Sequence, residues 1–451
     1  MRRENHTGDA PWFSATLAWS NGRTRAKTPT ASRSRDGVAL PRRSTPPASG
    51  LAPPGEHAPS GDPVMSVRFG LSEGLRLRPL LLATAATLSL YAALRSAPAA
   101  DVPQSPPGAA AAVQLIERLG LHVAPQPVRE RPGWRSPRIV LVDPELHDLL
   151  PQLQQAVPRA KLIEVSAASP RELAAADAAI GVCSADVLSK ARQLQWIQWS
   201  AAGVEPCVQQ PSVRERHILL TNLQRTMGPS MAEHVMGMML LLSRHLDYFL
   251  REQQQAHWAQ EGPRPQLADL EGKTVLVVGL GGIGTEVARR AHGFGMRVIA
   301  TRASGRTGPD YVSYVGLPDE LLKLANEADF VVNCAPLTPQ TTEIFNEEFF
   351  AALKPGAYFV SVGRGRSTVT ADLIAALKSG RLAGAGLDVV DPEPLPAGSP
   401  LWHAPNLIIT PHVSADTPFA DEQRNAVLVE NLRRYAAGEP MLSVVDVERG
   451  Y

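Results

Sequence analysis

The sequence predicts an α/β protein whose centre is a doubly wound, parallel β-sheet. From about residue 138 onward, short apolar stretches typical of strands buried on both faces alternate with helical stretches. Residues 273–302 alone read as strand, glycine turn, helix and strand, which is a complete βαβ unit. Such connections are right-handed crossovers between parallel strands, so the repeated alternation predicts one large sheet with helices on both faces.

The glycine turn of this unit, GLGGIG over residues 279–284, directly follows the predicted strand 274–278. Gly279 permits a tight turn, Gly281 lets backbone N–H groups approach a pyrophosphate, and Gly284 lets the next helix lie close to the strand. A glycine-rich turn without a ligand also fits the bare pattern, but the flanking strand and helix favour dinucleotide binding at the positive end of the helix. The predicted cofactor loop comprises Gly279, Gly281, Gly282, Ile283 and Gly284.

The end of the next strand, 297–301, bears on which dinucleotide binds. An NAD site places Asp or Glu there to contact the ribose hydroxyls, whereas this chain has Arg302, followed by Ser304 and Arg306. A guanidinium pairs with a 2′-phosphate, which a carboxylate would repel, so the sequence favours NADP(H) over NAD(H). The alternative is two arginines on a solvated loop, which leaves NAD(H) possible.

Composition places the chain among globular proteins with two domains and additional sequence. It has 451 residues, a hydrophobic fraction of 44%, a charged fraction of 20% and a formal net charge of +1. This near-neutral balance gives no reason to expect nucleic acid or an anionic membrane as partner. Cys183, Cys207 and Cys334 are an odd number without metal-ligand spacing, so we expect neither a disulfide framework nor a metal site.

Two atypical segments precede the α/β pattern. Residues 1–64 are rich in Arg, Pro, Ser and Gly, and we expect them to be disordered or an over-called start. Residues 65–100 resemble a signal peptide, with basic residues, the uncharged run 79–94 and small residues at 97–99, although an arginine-rich presequence or low-complexity tail also fits. The run is too short for a stable membrane span. A linker is expected over 101–136, and cofactor supply favours a cytoplasmic location over export.

Two domains are predicted from about residue 137. Residues 137–229 form the first part of a small α/β substrate domain, residues 230–413 the nucleotide domain, and residues 414–451 a return to the first domain through a helix over 422–437. One long helix is expected over 230–255, with its methionines in packing roles. Further helices are expected over 285–295, 318–327, 346–353 and 371–379, alternating with the strands of a sheet of six or seven strands.

Three polar residues follow strands of the large sheet, where open α/β sheets bind ligands. Arg364 follows YFVSV, Glu393 lies in the loop DPEP after GAGLDVV, and His412 follows LIIT. Each alone also fits a structural role as a surface ion pair, a loop glutamate or a strand-end histidine. Together they suit hydride transfer to a 2-oxo acid, because a carboxylate raises the pKa of a neighbouring imidazole and an arginine holds a substrate carboxylate. The nicotinamide cofactor would supply the hydride.

The chain resembles the D-isomer-specific 2-hydroxyacid dehydrogenase family over about residues 137–451, through the motifs LQWIQWSAAGV, MAEHVMGMML, LEGKTVLVVGLGGIG, APLTPQT, GRG, GAGLDVVDPEPLP and LWHAPNLIITPH in that order. The resemblance implies a Rossmann-type sheet inserted into a smaller flavodoxin-like α/β substrate domain, and a homodimer formed through the nucleotide domains. It departs from the family pattern at Ser361, where Asn is frequent, at Arg302, and in its leader.

The resemblance also implies roles for individual residues. Arg364 would bind the substrate, Glu393 would support the histidine, and His412 would donate the proton during reduction. Three further contributions are implied for the bound ligands: a nicotinamide contact from Asp388, a cofactor-lining Pro336, and backbone amides at Ala202 and Gly203 that receive the substrate carboxylate.

The expected activity is reduction of small 2-oxo acids, with glyoxylate and hydroxypyruvate as the first candidates. A non-catalytic, dinucleotide-sensing binding protein on the same fold is the alternative from another functional class. A phosphoglycerate dehydrogenase-like enzyme is a nearer one, although only about forty residues follow His412, too few for the regulatory domain that many such enzymes carry.

Overall fold

The computed structural model describes residues 109–262 and 264–450, all of which belong to one compact unit. The predictions of a disordered leader at 1–64 and a signal peptide at 65–100 lie outside the described residues. None of the helices in the described part of the chain combines the length and hydrophobicity that crossing a bilayer requires.

The strands are labelled in chain order. Within the described residues they are β1 (Val123–Pro127), β2 (Ile139–Val142), β3 (Lys161–Glu164), β4 (Ala178–Ile180), β5 (Trp196–Gln198), β6 (Leu219–Thr221), β7 (Thr274–Val278), β8 (Arg297–Thr301), β9 (Tyr314–Gly316), β10 (Phe330–Asn333), β11 (Ala357–Ser361), β12 (Leu382–Leu387), β13 (Leu407–Ile409) and β14 (Pro440–Leu442).

The α-helices are labelled in the same way. Over the same ranges they are α1 (Ala109–Leu119), α2 (Leu150–Ala156), α3 (Pro170–Ala175), α4 (Ala185–Lys190), α5 (Glu205–Val208), α6 (Pro211–Glu215), α7 (Gly228–Ser243), α8 (Leu246–Gln254), α9 (Gly282–Gly293), α10 (Leu321–Ala325), α11 (Glu347–Ala352), α12 (Thr370–Lys378) and α13 (Pro418–Ala437).

The larger sheet has seven parallel strands in the order β13-β12-β11-β10-β7-β8-β9. The chain moves outward from β7 to β9 and then returns to β10 on the other side of β7, so the winding direction reverses between β7 and β10. All five residues of β7 and all five of β11 are buried, as expected of strands covered by helices on both faces. The predicted doubly wound, Rossmann-type sheet is confirmed, and the reversal is where such sheets bind ligands.

The smaller sheet has five parallel strands in the order β3-β2-β4-β5-β6, which is the flavodoxin-like order that the resemblance implied. Its strands precede β7 in the chain, yet α13 and β14, after the large sheet, return to it. Strand β14 pairs with β1 in antiparallel fashion, and Tyr435 of α13 stacks on Trp196 of β5 with ring centroids 4.5 Å apart. The large sheet is therefore inserted into the smaller α/β unit.

A buried polar network fixes this return of the chain. The side-chain amide of Asn431 on α13 donates to Gln198 Oε1 at 2.7 Å and to the carbonyl of Leu442 at 3.1 Å, and its oxygen accepts from the N–H of Leu442 at 2.9 Å. Thr221 Oγ1 donates to the same Gln198 oxygen at 2.8 Å. Because buried polar groups are costly when unpaired, these bonds specify how α13 and β14 dock on β5 and β6.

The helix predicted over 230–255 is two helices, α7 and α8. The chain breaks at His245, which adopts a left-handed conformation with φ of 47°. The methionines Met231, Met236, Met238 and Met239 of α7 are buried, as predicted, whereas α8 has no buried residue. Packing therefore holds α7 against α9 and the large sheet. No buried side chain of α8 holds that helix along the same axis as α7.

Other elements differ from the predictions in smaller ways. The segment expected to be a linker, residues 101–136, contains α1 and β1. The edge strand β9 was not predicted, because three residues are too few to give a sequence pattern. The four further helices of the nucleotide part begin and end within about three residues of prediction, and α13 begins at Pro418, where Thr417 caps it.

The expectation of no disulfide is wrong for one pair, because Cys183 and Cys207 are bonded, with a Cα–Cα distance of 5.3 Å. They come together because Cys183 follows the carboxyl end of β4 and Cys207 lies in α5, which folds back beside that end.

We predict that Asn431→Ala lowers the free energy of unfolding by about 3 kcal/mol, because it leaves the backbone N–H and carbonyl of Leu442 without their buried partners. Urea unfolding followed by circular dichroism measures this. The matched control is Glu422→Ala, an exposed position on the same helix, which should change stability by less than about 0.5 kcal/mol. Equal stability of the two variants would show that the network does not hold the returning helix.

Candidate active site

The candidate site lies at the carboxyl ends of the large sheet. Parallel pairing aligns the last residues of neighbouring strands, so that Val278 is opposite Asn333, Asn333 opposite Ser361, and Ser361 opposite Leu387. The glycine turn, the loop of Arg364 and the loop of Glu393 all leave the sheet at this level. The loop after β5 approaches them from the smaller sheet and closes one side of a cleft.

The backbone of the glycine turn explains two of its glycines directly. Gly279 has φ of 94°, and a Cβ added there would lie 2.9 Å from the backbone of Ala335. A Cβ on Gly284 would lie 2.2 Å from the carbonyl oxygen of Gly279, so only glycine lets α9 approach the turn. By contrast, a Cβ on Gly281 would meet no atom within 4 Å. The turn therefore presents open backbone at the amino end of α9, as a pyrophosphate site requires.

The other residues of the predicted cofactor loop surround this turn. A Cβ on Gly282 would lie 2.7 Å from Arg225 Cγ, so the turn also touches the segment that connects the two sheets, and Ile283 is partly buried. Pro336 is exposed and follows Ala335, which contacts the turn. The structure thus brings Pro336 beside the glycine turn at the carboxyl end of β10.

The arginines after β8 have different partners. Arg302 donates from Nε to Ser304 Oγ at 2.8 Å and from Nη1 to the carbonyl of Thr307 at 2.9 Å, and its Nη2 has no hydrogen-bond partner among the residues that the structure describes. Arg306 pairs with Glu320 at 2.5 Å and donates to the Tyr314 hydroxyl at 2.9 Å. Arg302 is therefore the better placed of the two to meet a ligand, because Arg306 is already neutralised.

His412 and Glu393 form the central pair of the site. His412 Nδ1 lies 2.8 Å from Glu393 Oε2, and Glu393 Oε1 accepts from the N–H of Val390 at 3.0 Å. The hydrogen bond to Glu393 raises the pKa of His412 against the opposing effect of burial. Burial would raise the pKa of Glu393, but its bonds to His412 and Val390 lower it overall. With Nδ1 engaged, Nε2 is the nitrogen that can exchange a proton with a ligand.

Asp388 organises the loop that carries His412. Its buried carboxylate accepts from Thr410 Oγ1 at 2.6 Å and from the N–H groups of Val413 and Ser414 at 3.0 Å each, and its carbonyl accepts from the N–H of His412 at 2.8 Å. Burial alone would raise the pKa of Asp388, but these bonds hold it below the ordinary value. Asp388 is 1% exposed, and its carboxylate makes its hydrogen bonds within this loop. The implied contact with the nicotinamide stays a prediction.

Arg364 is held from its backbone side by a chain of hydrogen bonds. Ser367 Oγ donates to the carbonyl of Arg364 at 2.6 Å, and the side-chain amide of Asn333 donates to Ser367 Oγ at 2.8 Å and to Ser361 Oγ at 3.0 Å. Ser361, where the family often has Asn, is therefore part of the network that fixes this turn. A Cβ on the next residue, Gly365, would lie 1.9 Å from the carbonyl oxygen of Val390, which shows how closely the loops of Arg364 and Glu393 approach.

The guanidinium of Arg364 reaches across the cleft to the loop after β5. A Cβ on Gly203 would lie 1.6 Å from Arg364 Nη2, so only glycine fits beside the guanidinium. The loop is fixed by Trp199 Nε1, which donates to the carbonyl of Gly203 at 2.7 Å, and by Asn222 Nδ2, which donates to the carbonyl of Ala202 at 2.7 Å. Within residues 109–262 and 264–450, the N–H groups of Ala202 and Gly203 have no hydrogen-bond partner. These N–H groups and the guanidinium suit one carboxylate.

Two residues of the site were missed by sequence reasoning. Glu205 pairs with Arg364, with Oε1 3.1 Å from Nε and Oε2 3.5 Å from Nη2. His234 of α7 lies 3.0 Å from Thr410 Oγ1. Glu205 directly follows the motif LQWIQWSAAGV, but no local pattern in the sequence couples it to an arginine 159 residues away. The residues that the structure describes contain no cluster of three or more metal-binding side chains.

Comparison with known proteins identifies relatives that cover about two thirds of the chain. The family model described as "D-isomer specific 2-hydroxyacid dehydrogenase, NAD binding domain" matches residues 236–414. A glyoxylate reductase from Pyrococcus furiosus is 32% identical over 65% of this chain and 88% of its own.

Solved structures of the same family are also similar to this chain. A D-isomer specific 2-hydroxyacid dehydrogenase family protein from Aeromonas salmonicida is 34% identical, with a TM-score of 0.60 over 69% of this chain and 99% of its own. An NADPH-dependent glyoxylate/hydroxypyruvate reductase from Sinorhizobium meliloti, solved with NADP and sulfate, is 30% identical, with a TM-score of 0.60 and the same coverages.

We predict that the pKa of His412, measured by NMR titration of its ring protons, is higher in the wild-type protein than in Glu393→Gln. Removing the carboxylate removes the largest stabilisation of the imidazolium, so the protonated form is lost at lower pH. Arg364→Gln should shift the midpoint in the opposite direction, because the guanidinium disfavours the imidazolium. A midpoint unchanged by Glu393→Gln would contradict the pairing.

Proposed function

This chain belongs to the D-isomer specific 2-hydroxyacid dehydrogenase family, and on that premise we propose that it reduces glyoxylate, hydroxypyruvate or a similarly small 2-oxo acid with NADPH as the preferred hydride donor. At the coarser level it is an oxidoreductase that moves a hydride between a nicotinamide cofactor and a small 2-oxo or D-2-hydroxy acid. The observation that carries the proposal is the 2.8 Å pair of His412 and Glu393 in the same cleft as Arg364.

Each group in the cleft has a part in this reaction. Arg364 and the N–H groups of Ala202 and Gly203 would bind the substrate carboxylate and orient the carbonyl carbon. His412 Nε2 would give its proton to the carbonyl oxygen, and Glu393, which raises the pKa of His412, would favour the protonated imidazole and hold it in one orientation. The nicotinamide, when bound, supplies the hydride. In the reverse direction, the same His412 nitrogen would accept the proton of the hydroxyl.

The residues of the glycine turn fit the cofactor. The open backbone at Gly281 and the amino end of α9 would bind the pyrophosphate, and Nη2 of Arg302, which has no partner among the described residues, would bind the 2′-phosphate. The similar reductase from Sinorhizobium meliloti is NADPH-dependent, which supports the same preference here. A need for NADPH also favours a compartment that supplies it, such as the cytoplasm.

A catalytic role is favoured over the alternative of a dinucleotide-sensing binding protein. The similar proteins from Pyrococcus furiosus and Sinorhizobium meliloti are reductases, which supports catalysis, and a direct turnover assay separates the two functions. A phosphoglycerate dehydrogenase-like activity would use the same groups, and only a substrate panel separates it.

We further propose that the protein forms a homodimer through its nucleotide-binding part. Leu246 and Leu250 of α8 and the nearby Trp258 are exposed by 51%, 53% and 83%. Such apolar exposure on neighbouring residues suits a surface covered by a second copy.

We expect His412→Gln to lower kcat for glyoxylate reduction by 100-fold or more, because loss of a general acid typically costs about 10²- to 10⁴-fold. The dissociation constant for NADPH, measured by fluorescence, should stay within about twofold of wild type. His403→Gln, at an exposed histidine outside the cleft, is the control and should keep full activity. Turnover by His412→Gln within threefold of wild type would show that another group is the acid.

We expect a lower KM for NADPH than for NADH at low salt, with the ratio narrowing as salt rises. One charge-assisted bond to the 2′-phosphate, about 1.5 kcal/mol before screening, suffices for about a tenfold preference. Arg302→Asp should reverse the preference, whereas Arg306→Gln should change it less because Arg306 is bound to Glu320. Equal kcat/KM for both cofactors in the wild-type enzyme would remove the NADPH preference and leave the dehydrogenase activity intact.

A further inference from the structure

Glu205 places a negative charge beside the group that would bind the substrate carboxylate. Its two oxygens face Nε and Nη2 of Arg364 at 3.1 and 3.5 Å, along one edge of the guanidinium. The side chains of Glu205 and Arg364 are only 19% and 33% exposed, so water screens the pair incompletely. Hydride transfer itself requires no carboxylate at this position.

The pairing fixes the direction in which Arg364 can bind a ligand. Glu205 takes the Nε edge, and the carbonyl of Gly363 accepts from Nη1 at 2.8 Å. The remaining donor directions of the guanidinium share the space beside Gly203 with the open N–H groups of Ala202 and Gly203. Glu205 Oε2 borders this space as well, because a Cβ on Gly203 would lie 2.7 Å from it. A substrate carboxylate held by Arg364 would therefore bind next to the negative charge of Glu205.

The backbone under Glu205 is held in place. Glu205 is the first residue of α5, and Cys207, two residues later, is bonded to Cys183 after β4. Trp199 holds the carbonyl of Gly203 at 2.7 Å. Since both flanks of the turn are anchored, the carboxylate cannot withdraw far when a ligand with further negative charge enters.

The charges of the cleft then limit which 2-oxo acids can bind. Arg364 and Glu205 sum to zero, and Glu393 balances His412 when the imidazole is protonated, so the cleft compensates little of the charge that a ligand brings. One carboxylate gains the directed bonds of the guanidinium and N–H groups. A second carboxylate would instead meet the negative charges of Glu205 and Glu393, while the positive charges of Arg364 and His412 are already paired with them.

We propose that Glu205 is a specificity-determining residue that selects 2-oxo monocarboxylates against dicarboxylates by electrostatic repulsion. This inference rests on the proposed function, because it assigns Arg364 to the substrate carboxylate. Under this proposal, the negative charge of Glu205 excludes dicarboxylates, and the size of the cleft does not.

The first test compares two ligands of nearly equal size and different charge, oxamate with one negative charge and oxalate with two. Their dissociation constants are measured by calorimetry on the NADPH-bound enzyme at low salt. We expect Glu205→Gln to improve the affinity for oxalate relative to oxamate about tenfold, with the gain decreasing as salt rises. Glu205→Asp keeps the charge, so it should keep the wild-type ratio even if both affinities fall.

The second test measures kcat/KM for glyoxylate and for 2-oxoglutarate with NADPH. Glu205→Gln should raise the ratio for 2-oxoglutarate over glyoxylate about tenfold, whereas Glu215→Gln, an exposed glutamate on α6, should leave it unchanged. Equal changes for both substrates and both inhibitors would overturn the inference and leave Glu205 a structural partner of Arg364. Absence of turnover by the wild-type enzyme on any 2-oxo acid would instead overturn the proposed function, and the oxamate and oxalate affinities would still decide the role of Glu205.

Discussion

The parallel register of the large sheet is the constraint on which the site depends. Because β7, β10, β11 and β12 end at the same level, the loops that follow them must share one narrow edge. Only small residues allow this crowding, as the close approaches at Gly279 and Gly365 show. The predicted catalytic and cofactor-binding groups, which come from four separate parts of the chain, are therefore neighbours in space although they are distant in the sequence.

The second half of the site comes from the smaller sheet. Several long-range contacts hold that sheet together and so position this half. The network around Asn431 and the stacking of Tyr435 on Trp196 make α13 part of that unit, although the whole large sheet lies between them in sequence. The loop after β5 then extends Gly203 and Glu205 toward Arg364.

Pairing of charges is the common principle within the cleft. Each carboxylate has a specific partner: Glu205 has Arg364, Glu393 has His412, and Asp388 has the N–H groups of the loop of His412. The result is a raised pKa for His412 and lowered pKa values for Glu393 and Asp388. This arrangement favours the protonated form of His412 and keeps the Arg364 guanidinium oriented, and both suit the proposed reduction of a carbonyl next to a carboxylate.

Local pattern in the sequence was sufficient for much of this protein. The βαβ unit, the glycine turn, the helices around the large sheet and the strand-end positions of Arg364, Glu393 and His412 all follow from periodicity, glycine spacing and the rule for ligand sites in open sheets. These features depend on residues a few positions apart, or on the uniform direction of parallel strands. The break at His245 was missed because the burial of α7, and not its sequence, decides where that helix stops.

Only the tertiary structure decided which distant groups meet. The pairing of β1 with β14, the disulfide between Cys183 and Cys207, the link from Asn333 through Ser367 to Arg364, and the ion pair of Glu205 with Arg364 join residues that carry no mutual signal in the sequence. Docking of the two sheets brings Glu205 to Arg364. The other pairs form within one unit, where folding brings segments together that are far apart in the sequence. The sequence determined the chemistry of hydride transfer, and the docking of the sheets determined the charge that a substrate meets beside it.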